Sequence, residues 1–329
     1  MISAKIGFRN LTRNRWRSGL TLGGIGLSVA FMVWLVGFME GWMGAMVEGA
    51  TAVETGQVQV HTRAFADNPR VYRSFPLSDS LLARAGAVEG VVAVSPRVKL
   101  NGLIGHEEKS QVGRIYGVDP ELEAETTPID RSVEEGRWLS VHPPDYPAPR
   151  EVVLGTGMAD QLRVHPGDEL VVFVEASDGS MGNDLLEVVG IVETSNTAVD
   201  RMTAYMNLGD AQYLAALEGE IHELAIRTER LLEARETAVA IAGALGAATR
   251  GVGEAGETGS APDGPEREAG SGAAPGGTTR AESVPDPGAA LPASEQDPDA
   301  LLVRPWQELL PSIYQMLVIS RQSNWFMYL

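Results

Sequence analysis

A single uncharged stretch near the N-terminus constrains this chain more than any other feature. Residues 18–39 read SGLTLGGIGLSVAFMVWLVGFM, which is 22 consecutive positions without an acidic or basic side chain. An α-helix rises about 1.5 Å per residue, so about 20 apolar residues cross the hydrocarbon core of a bilayer. The stretch therefore predicts one transmembrane helix over 18–39.

Two other interpretations of this stretch remain as alternatives. A cleavable signal peptide has an apolar region of about 7–15 residues followed by a small-residue cleavage site, whereas this stretch is longer and residues 40–49 offer no convincing A-x-A sequence. A buried helix of a soluble protein would require a core that covers a helix apolar on all sides. An uncleaved membrane anchor is the interpretation we favour.

Charge is distributed unevenly along the chain. The net charge is −18, yet the first 39 residues contain five basic residues and no acidic one. The remainder therefore holds 21 basic and 44 acidic residues. A domain this acidic is not expected to bind nucleic acid, because phosphate binding requires a basic surface. Under the positive-inside rule the N-terminus lies in the cytoplasm and the residues after the helix lie outside, as in a bacterial inner-membrane protein with a periplasmic domain.

The residues that flank the apolar stretch are typical of a membrane boundary. Residues 1–17 predict a basic segment at the cytoplasmic surface, where cations meet the anionic headgroups of the inner leaflet. The side chains expected to contact these membrane lipids are Arg9, Arg13 and Arg17. Trp16 and Trp42 bracket the helix as interfacial aromatic anchors.

Glycines within the apolar stretch point to a helix–helix contact. Small residues allow neighbouring membrane helices to approach closely, and Gly19-x-x-x-Gly23 is a small-xxx-small sequence. The residues predicted to pack against a partner helix are Gly19, Gly23, Gly24 and Gly26. The alternative, given equal weight, is that these glycines are only tolerated in the membrane helix and make no specific contact.

Residues 40–245 predict an extracytoplasmic domain of mixed α and β structure, and the fold class is α+β. Helix is expected to continue to about residue 53, and Ser78 or Asp79 is expected to cap a short helix. Asp119-Pro120 predicts a turn. The predicted strands are 57–61, 91–94, 98–100, 113–118, 151–155, 169–174, 185–192 and 222–227. The further predicted helices are 156–162, 210–217 and 231–245.

The composition changes sharply after residue 245. Residues 246–300 are rich in Gly, Pro, Ala, Ser and Glu and contain no aromatic residue, so they predict a disordered insert. Residues 301–324 predict the end of the domain, with a strand over 301–306 and a return helix over 307–319. Residues 325–329, WFMYL, predict the start of a second, incomplete transmembrane helix.

The sequence contains little that indicates catalysis. There is no G-x-x-x-x-G-K-[ST] sequence, so the chain is not expected to bind ATP by itself, and no catalytic residue, metal ligand or cofactor is predicted. The five histidines, at 61, 106, 142, 165 and 222, are scattered. A metal site at His222-Glu223 is considered, but a structural role for this histidine is favoured.

Several short sequences resemble the ABC-transporter permeases of the MacB/LolC/LolE (FtsX-like) type. Each is weak alone, and their order and spacing carry the resemblance. The matching sequences are RNLxRNxxR at 9–17, GVDPE at 117–121, EGRWL at 135–139, VLGxxxAxxLxVxxGD at 153–168, VGI at 189–191, Asp200, and AQ at 211–212.

The resemblance implies a MacB-like periplasmic core domain that follows the first membrane helix. It also implies a separate ABC ATPase as partner, a second permease copy or a paralogue, and lipoprotein or other exported cargo with a possible periplasmic adaptor. The family's remaining membrane helices are absent from this chain, which is therefore expected to be an N-terminal fragment or a truncated relative. The alternative function is a single-pass anchored protein that binds a ligand or acts as a scaffold without transport.

Overall fold

The computed structural model describes residues 15–52, 56–143, 148–194, 196–249 and 297–325. The first helix, α1, spans Arg15–Ala52 and has 38 residues, which corresponds to a length of about 57 Å. Its segment Arg15–Met39 has a mean hydropathy of 2.0, and none of its most apolar window is buried against the rest of the described protein. The long apolar helix expected from the sequence is present, and it continues well past the predicted membrane boundary at residue 39.

A sheet of many strands follows α1. The longer strands are β1 (Val58–Thr62), β3 (Val91–His106), β4 (Lys109–Val118), β6 (Arg150–Gly155), β7 (Glu169–Glu175), β8 (Met181–Val192), β9 (Thr203–Asn207), β11 (Glu223–Thr228) and β13 (Leu301–Pro305). The shorter ones are β2 (Phe75–Pro76), β5 (Val133–Gly136), β10 (Glu220–Ile221) and β12 (Ala248–Thr249).

Short helices cover the sheet. They are α2 (Arg63–Asp67), α3 (Asp79–Gly86), α4 (Pro120–Thr126), α5 (Thr156–Leu162), α6 (Thr197–Asp200), α7 (Leu208–Leu214), α8 (Ala234–Leu245), α9 (Trp306–Leu309) and α10 (Pro311–Trp325). The mixed helix and strand content confirms the α+β fold class.

The strands form two connected parts. On one side the order is β12-β13-β1-β11-β3, and on the other it continues as β3-β4-β9-β6-β8. Strand β7 pairs with both β3 and β8, so β3, β4, β9, β6, β8 and β7 close into a hydrogen-bonded ring. β3 belongs to both parts because its first half pairs with β11 and its second half pairs with β4 and β7.

The prediction of two separate strands at 91–94 and 98–100 is wrong, because β3 runs unbroken through Pro96. Pairing with β4 begins only at Arg97, which leaves one side of Pro96 without a partner strand. Strands tolerate proline in that situation, since no ladder bond requires the missing N–H.

The predicted turn at Asp119-Pro120 is instead the start of α4. The Asp119 carboxylate accepts the N–H groups of Glu121 and Leu122, both at 3.0 Å. Pro120 occupies the first turn, where its missing N–H costs nothing. The expected N-cap at residue 78 is confirmed, because the Ser78 side chain accepts the Leu81 N–H at the start of α3.

The core fills the ring and both faces of its central strands. Every strand of the ring contributes to one buried cluster, through Ile104, Ile115, Met206, Leu154, Leu186 and Val172. A smaller cluster on the alternate residues of β4, β6 and β9 contains Tyr116, Val153 and Tyr205. Helix α7 packs directly on β4, since a Cβ added to Gly117 would clash with the Cβ of Ala211.

The C-terminal region differs from its prediction in two respects. Within the predicted insert 246–300, Ala248–Thr249 forms β12 beside β13 and residues 297–299 form a turn, while 250–296 lie outside the described residues. The return helix predicted over 307–319 is two helices, α9 and α10, because Pro311 follows Leu310 and disfavours helical geometry there. Trp325 ends α10, and 326–329 lie outside the described residues.

Candidate functional site: where α1 and α10 join the domain

Helix α1 and the C-terminal helices α9 and α10 meet the sheet at the same place. Strand β1 follows α1 by a few residues, and β13 leads directly into α9 and α10. The two strands are antiparallel neighbours, with Val58 opposite Pro305. The first residue of β1 and the last residue of β13 therefore lie side by side, and we call this place the junction.

Gln57 holds the junction together through its backbone and its side chain. Its carbonyl accepts the Trp306 N–H at 2.9 Å, and its N–H donates to the Ile226 carbonyl at 3.1 Å. Its side-chain oxygen accepts the Thr228 N–H at 2.6 Å and the Thr228 hydroxyl at 2.7 Å. One residue thus joins the start of β1 to α9 on one side and to β11 on the other.

Trp306 is the largest fully buried side chain at the junction, with no solvent exposure. Its indole N–H donates to the Leu231 carbonyl at 2.8 Å. Its ring meets Tyr314 of α10 edge-on, with centroids 6.2 Å apart, and the Arg235 guanidinium lies 5.6 Å from the Tyr314 centroid. Trp306 therefore connects α9 both to α10, through Tyr314, and to the segment before α8, through Leu231.

Helix α10 also contacts α1. Leu317 of α10 is buried and belongs to the main core cluster. A displacement of either helix therefore reaches the sheet through β1 or through β13 and the packing of α10.

Buried charges connect the two parts of the sheet, and we define the charged cluster as Arg97, Lys99, Glu123 and Glu223. Arg97 lies 2.6 Å from one oxygen of Glu123 and 3.4 Å from Glu223. Lys99 pairs with the second oxygen of Glu223, and Ser95 donates to Glu123 at 2.7 Å. The cluster links β11, β3 and α4.

Each charged side chain of this cluster stabilises the ionised form of its partner. Burial alone would lower the pKa of Arg97, but the Glu123 carboxylate outweighs burial and raises it. Burial alone would raise the pKa of Glu123, but Arg97, with hydrogen bonds from Arg97, Ser95 and Thr127, lowers it. Both groups therefore stay charged near neutral pH, and removing one partner of such a buried pair costs about 3–5 kcal/mol.

Two histidines beside this cluster are neutral. His222 Nδ1 accepts the Lys99 N–H at 2.9 Å, so Nε2 carries the proton and donates to the Val71 carbonyl at 2.8 Å. Burial lowers the pKa of His222 and lowers that of His61 to about 4. With both ring nitrogens engaged, His222 has no lone pair for a metal, and the described residues contain no group of three His, Asp or Glu side chains suited to one.

The predicted membrane residues occupy α1. A Cβ added to Gly19, Gly23, Gly24 or Gly26 would meet no atom within 4 Å, so these positions are open to a neighbouring helix. On the helix, Gly19, Gly23 and Gly26 share one face, while Gly24 lies about 100° away from Gly23. Their packing role stays a prediction.

The predicted interfacial residues are only partly described. Trp16 and Trp42 are exposed at 91% and 55%, and Arg17 lies in α1. Arg9 and Arg13 lie outside the described residues. The roles of all five in contacting lipid stay predictions.

Sequence reasoning missed the residues of the junction and of the charged cluster. Arg97 stands within the otherwise uncharged VAVSPRV run, and a charge inside a strand pattern is a signal of a buried ion pair. Trp306 is the last residue of the strand predicted over 301–306 and directly follows a proline, which is a weak signal of a special position. Gln57 offers no comparable signal, because its importance depends on which strands become neighbours.

Comparisons with known proteins give one matching family and several similar structures. Residues 18–244 match the family described as MacB-like periplasmic core domain. The extracellular domain of the noncanonic ABC-type transporter YknZ from Gram-positive bacteria is 16% identical, with 57% of this chain and 92% of that chain covered and a TM-score of 0.40. The periplasmic region of MacB from Actinobacillus actinomycetemcomitans is 13% identical, with 59% and 86% covered and a TM-score of 0.41.

An apolar helix long enough to cross a membrane precedes the α+β domain, and this arrangement fits an inner-membrane protein. The family match covers more than half of the chain, from within the apolar helix to the end of α8. The chain belongs to the family of MacB-like periplasmic core domains, which are domains of ABC transporter permeases.

Proposed function

We propose that this chain is a permease subunit, or its N-terminal part, of a MacB/LolCDE-type ABC transporter. A partner ATPase drives it, and its extracytoplasmic domain moves lipoprotein or other exported cargo. The N-terminus lies in the cytoplasm, and a second permease copy or a paralogue packs against the glycine face of α1. ATP hydrolysis belongs to the partner subunit.

The observation that carries this proposal is the junction. Two helical segments meet one end of two adjacent strands, at Val58 and Pro305. Movement of membrane helices is therefore delivered to the domain at one place and not spread over its surface. The charged cluster ties β11 to β3 and α4 through charge-assisted hydrogen bonds, so a displacement that reaches β11 also acts on β3 and α4.

The balance of charge supports the proposed orientation. Five basic residues precede the apolar core of α1 and no acidic residue does, and cytoplasmic flanks carry such an excess. A reporter enzyme that is active only outside the cytoplasm, fused after residue 60, should be active in cells. Activity of a cytoplasmic reporter at the same position would contradict the orientation.

The proposed assembly is tested by purifying the tagged chain from native membranes in a mild detergent and identifying its partners by mass spectrometry. We expect a P-loop ATPase and a permease copy or paralogue to be recovered with it. Recovery of the chain without any P-loop protein would contradict the transporter assignment and favour an anchored scaffold.

The helix contact is tested by a matched pair of variants. Gly23→Leu adds bulk to the face shared by Gly19 and Gly26 and should lower the recovered amount of the permease partner. Ser28→Leu adds bulk at a similar depth about 140° round the helix and should leave recovery unchanged. Equal recovery with both variants would show that this glycine face is not the contact.

A further inference from the structure

A cavity of about 330 Å³ lies between the junction and the ring. Gln59 of β1, Leu309 of α9 and residues of β3 and β4 contribute to its lining. Its volume falls at the lower end of the range of small-molecule sites, which is about 300–1,000 Å³.

One part of the lining is apolar and aromatic. The rings of Phe65 and Tyr116 are buried at 7% and 5% exposure, and Leu309 lies beside them in the lining. The Lys99 ammonium stands 5.6 Å from the Tyr116 ring centroid. A flat or branched apolar group would be covered here, with cationic side chains at its edge.

The charged side chains of the lining leave an excess of positive charge. The charged cluster, to which Lys99 belongs, contains two cations and two carboxylates and is neutral as a whole. The other charged side chains of the lining are Arg70, Arg114 and Glu175, so basic residues outnumber acidic ones here in a chain with a net charge of −18. Across the ranges of the chain that the structure describes, the exposed Arg70 guanidinium has no hydrogen bond or ion pair.

We propose that this cavity binds a small amphipathic organic anion with one negative charge. Its apolar body contacts Phe65, Tyr116 and Leu309, and its carboxylate or sulfonate group is directed to Arg70 at the mouth. Because Leu309 belongs to the segment that joins β13 to α10, the ligand would contact the junction itself. The binding does not depend on the transporter assignment.

Cysteine protection tests the proposal in the full-length chain in a neutral detergent. The protein has no cysteine, so Asn101→Cys places a single thiol in the lining, and Val239→Cys places one on an exposed face of α8 away from it. The alkylation rate by a water-soluble maleimide is measured with naphthalene-1-sulfonate, with the neutral analogue naphthalene-1-methanol, and with octanoate.

We expect the sulfonate to slow alkylation at Asn101→Cys strongly, the alcohol to slow it much less, and neither to affect Val239→Cys. If octanoate acts at a lower concentration than the sulfonate, the natural ligand is an acyl-chain anion; the reverse order points to a free aromatic anion. Equal protection by sulfonate and alcohol, or no protection by any anion, would overturn the proposal.

Charge variants at exposed positions add a second readout that does not depend on folding. Arg70→Gln should raise the half-protecting sulfonate concentration about tenfold, the size of one charge-assisted contact. Glu175→Gln should lower that concentration, because it removes the opposing charge. Arg84→Gln, exposed on α3, is the matched control. An unchanged concentration in both Arg70→Gln and Glu175→Gln would exclude this site.

Discussion

Acidification should destabilise the domain through His61. The pKa of this side chain is lowered by burial from an ordinary 6.5 to about 4 in the folded protein. Between these values the unfolded chain binds a proton that the folded chain does not, so unfolding becomes easier as the pH falls. The contribution is fully present above the unfolded pKa and is lost progressively toward the folded pKa.

The magnitude follows from the two pKa values. On going from about pH 7.5 to about pH 5.5, the free energy of unfolding should fall by about 1.4 kcal/mol from His61 alone, which is about a tenfold change in the unfolding equilibrium. The pKa of His222 is lowered by the same cause, so it adds to the loss in the same direction. Carboxylates titrate mostly below this range, which keeps the effect separate from the charged cluster.

The assay is denaturant unfolding of the full chain in detergent at both pH values, followed by far-ultraviolet circular dichroism. His61→Gln should reduce the difference between the two pH values by about 1.4 kcal/mol, whatever its effect on stability at pH 7.5. His165→Gln, at an exposed turn, should retain the wild-type difference. If His61→Gln also retained it, His61 could not be a buried neutral histidine and the reasoning would be refuted.

The remaining predictions concern packing and the buried ion pair, and the same unfolding assay measures them. Arg97→Ala should lower the free energy of unfolding by about 3–5 kcal/mol, because the carboxylate of Glu123 would be left buried and unpaired. Gly117→Ala should cost about 1–3 kcal/mol through overpacking against α7, whereas Gly209→Ala, in α7 with open space around it, should be neutral or stabilising by up to about 1 kcal/mol. Trp306→Ala should cost about 3–5 kcal/mol and should also increase hydrogen exchange in α10; unchanged exchange there would contradict the role of this side chain at the junction.

Local patterns predicted most of the elements well. The alternation at 169–174 corresponds to β7, whose exposed and buried residues alternate along its length, and the serine at 78 caps α3 as expected. Alternation and capping are properties of a few neighbouring residues, so they can be read without knowing the fold. The apolar helix is likewise set by length and composition alone.

What the patterns missed depends on which strands become neighbours. The prediction of separate strands at 91–94 and 98–100 is wrong because β3 continues through Pro96, next to the residue where its pairing with β4 begins. The ring is likewise invisible in the sequence, since it requires β7 to pair with β3 and β8 at once. Gln57 contacts Thr228 and Arg97 contacts Glu223 across more than a hundred residues, and the Arg97–Glu123 pair spans 26 residues. No local pattern encodes such contacts.

The antiparallel pairing of β1 and β13 determines how the domain bears load. Pulling the two attached segments away from each other would break the β1–β13 ladder one hydrogen bond at a time from the Val58–Pro305 end, an unzipping geometry with little mechanical resistance. Moving both segments in the same direction leaves that ladder intact and loads the neighbouring ladder with β11 lengthwise, in shear, where several bonds must fail together. The domain therefore resists movements in which the two attached segments travel together, and its β1–β13 pairing would break if they were pulled apart.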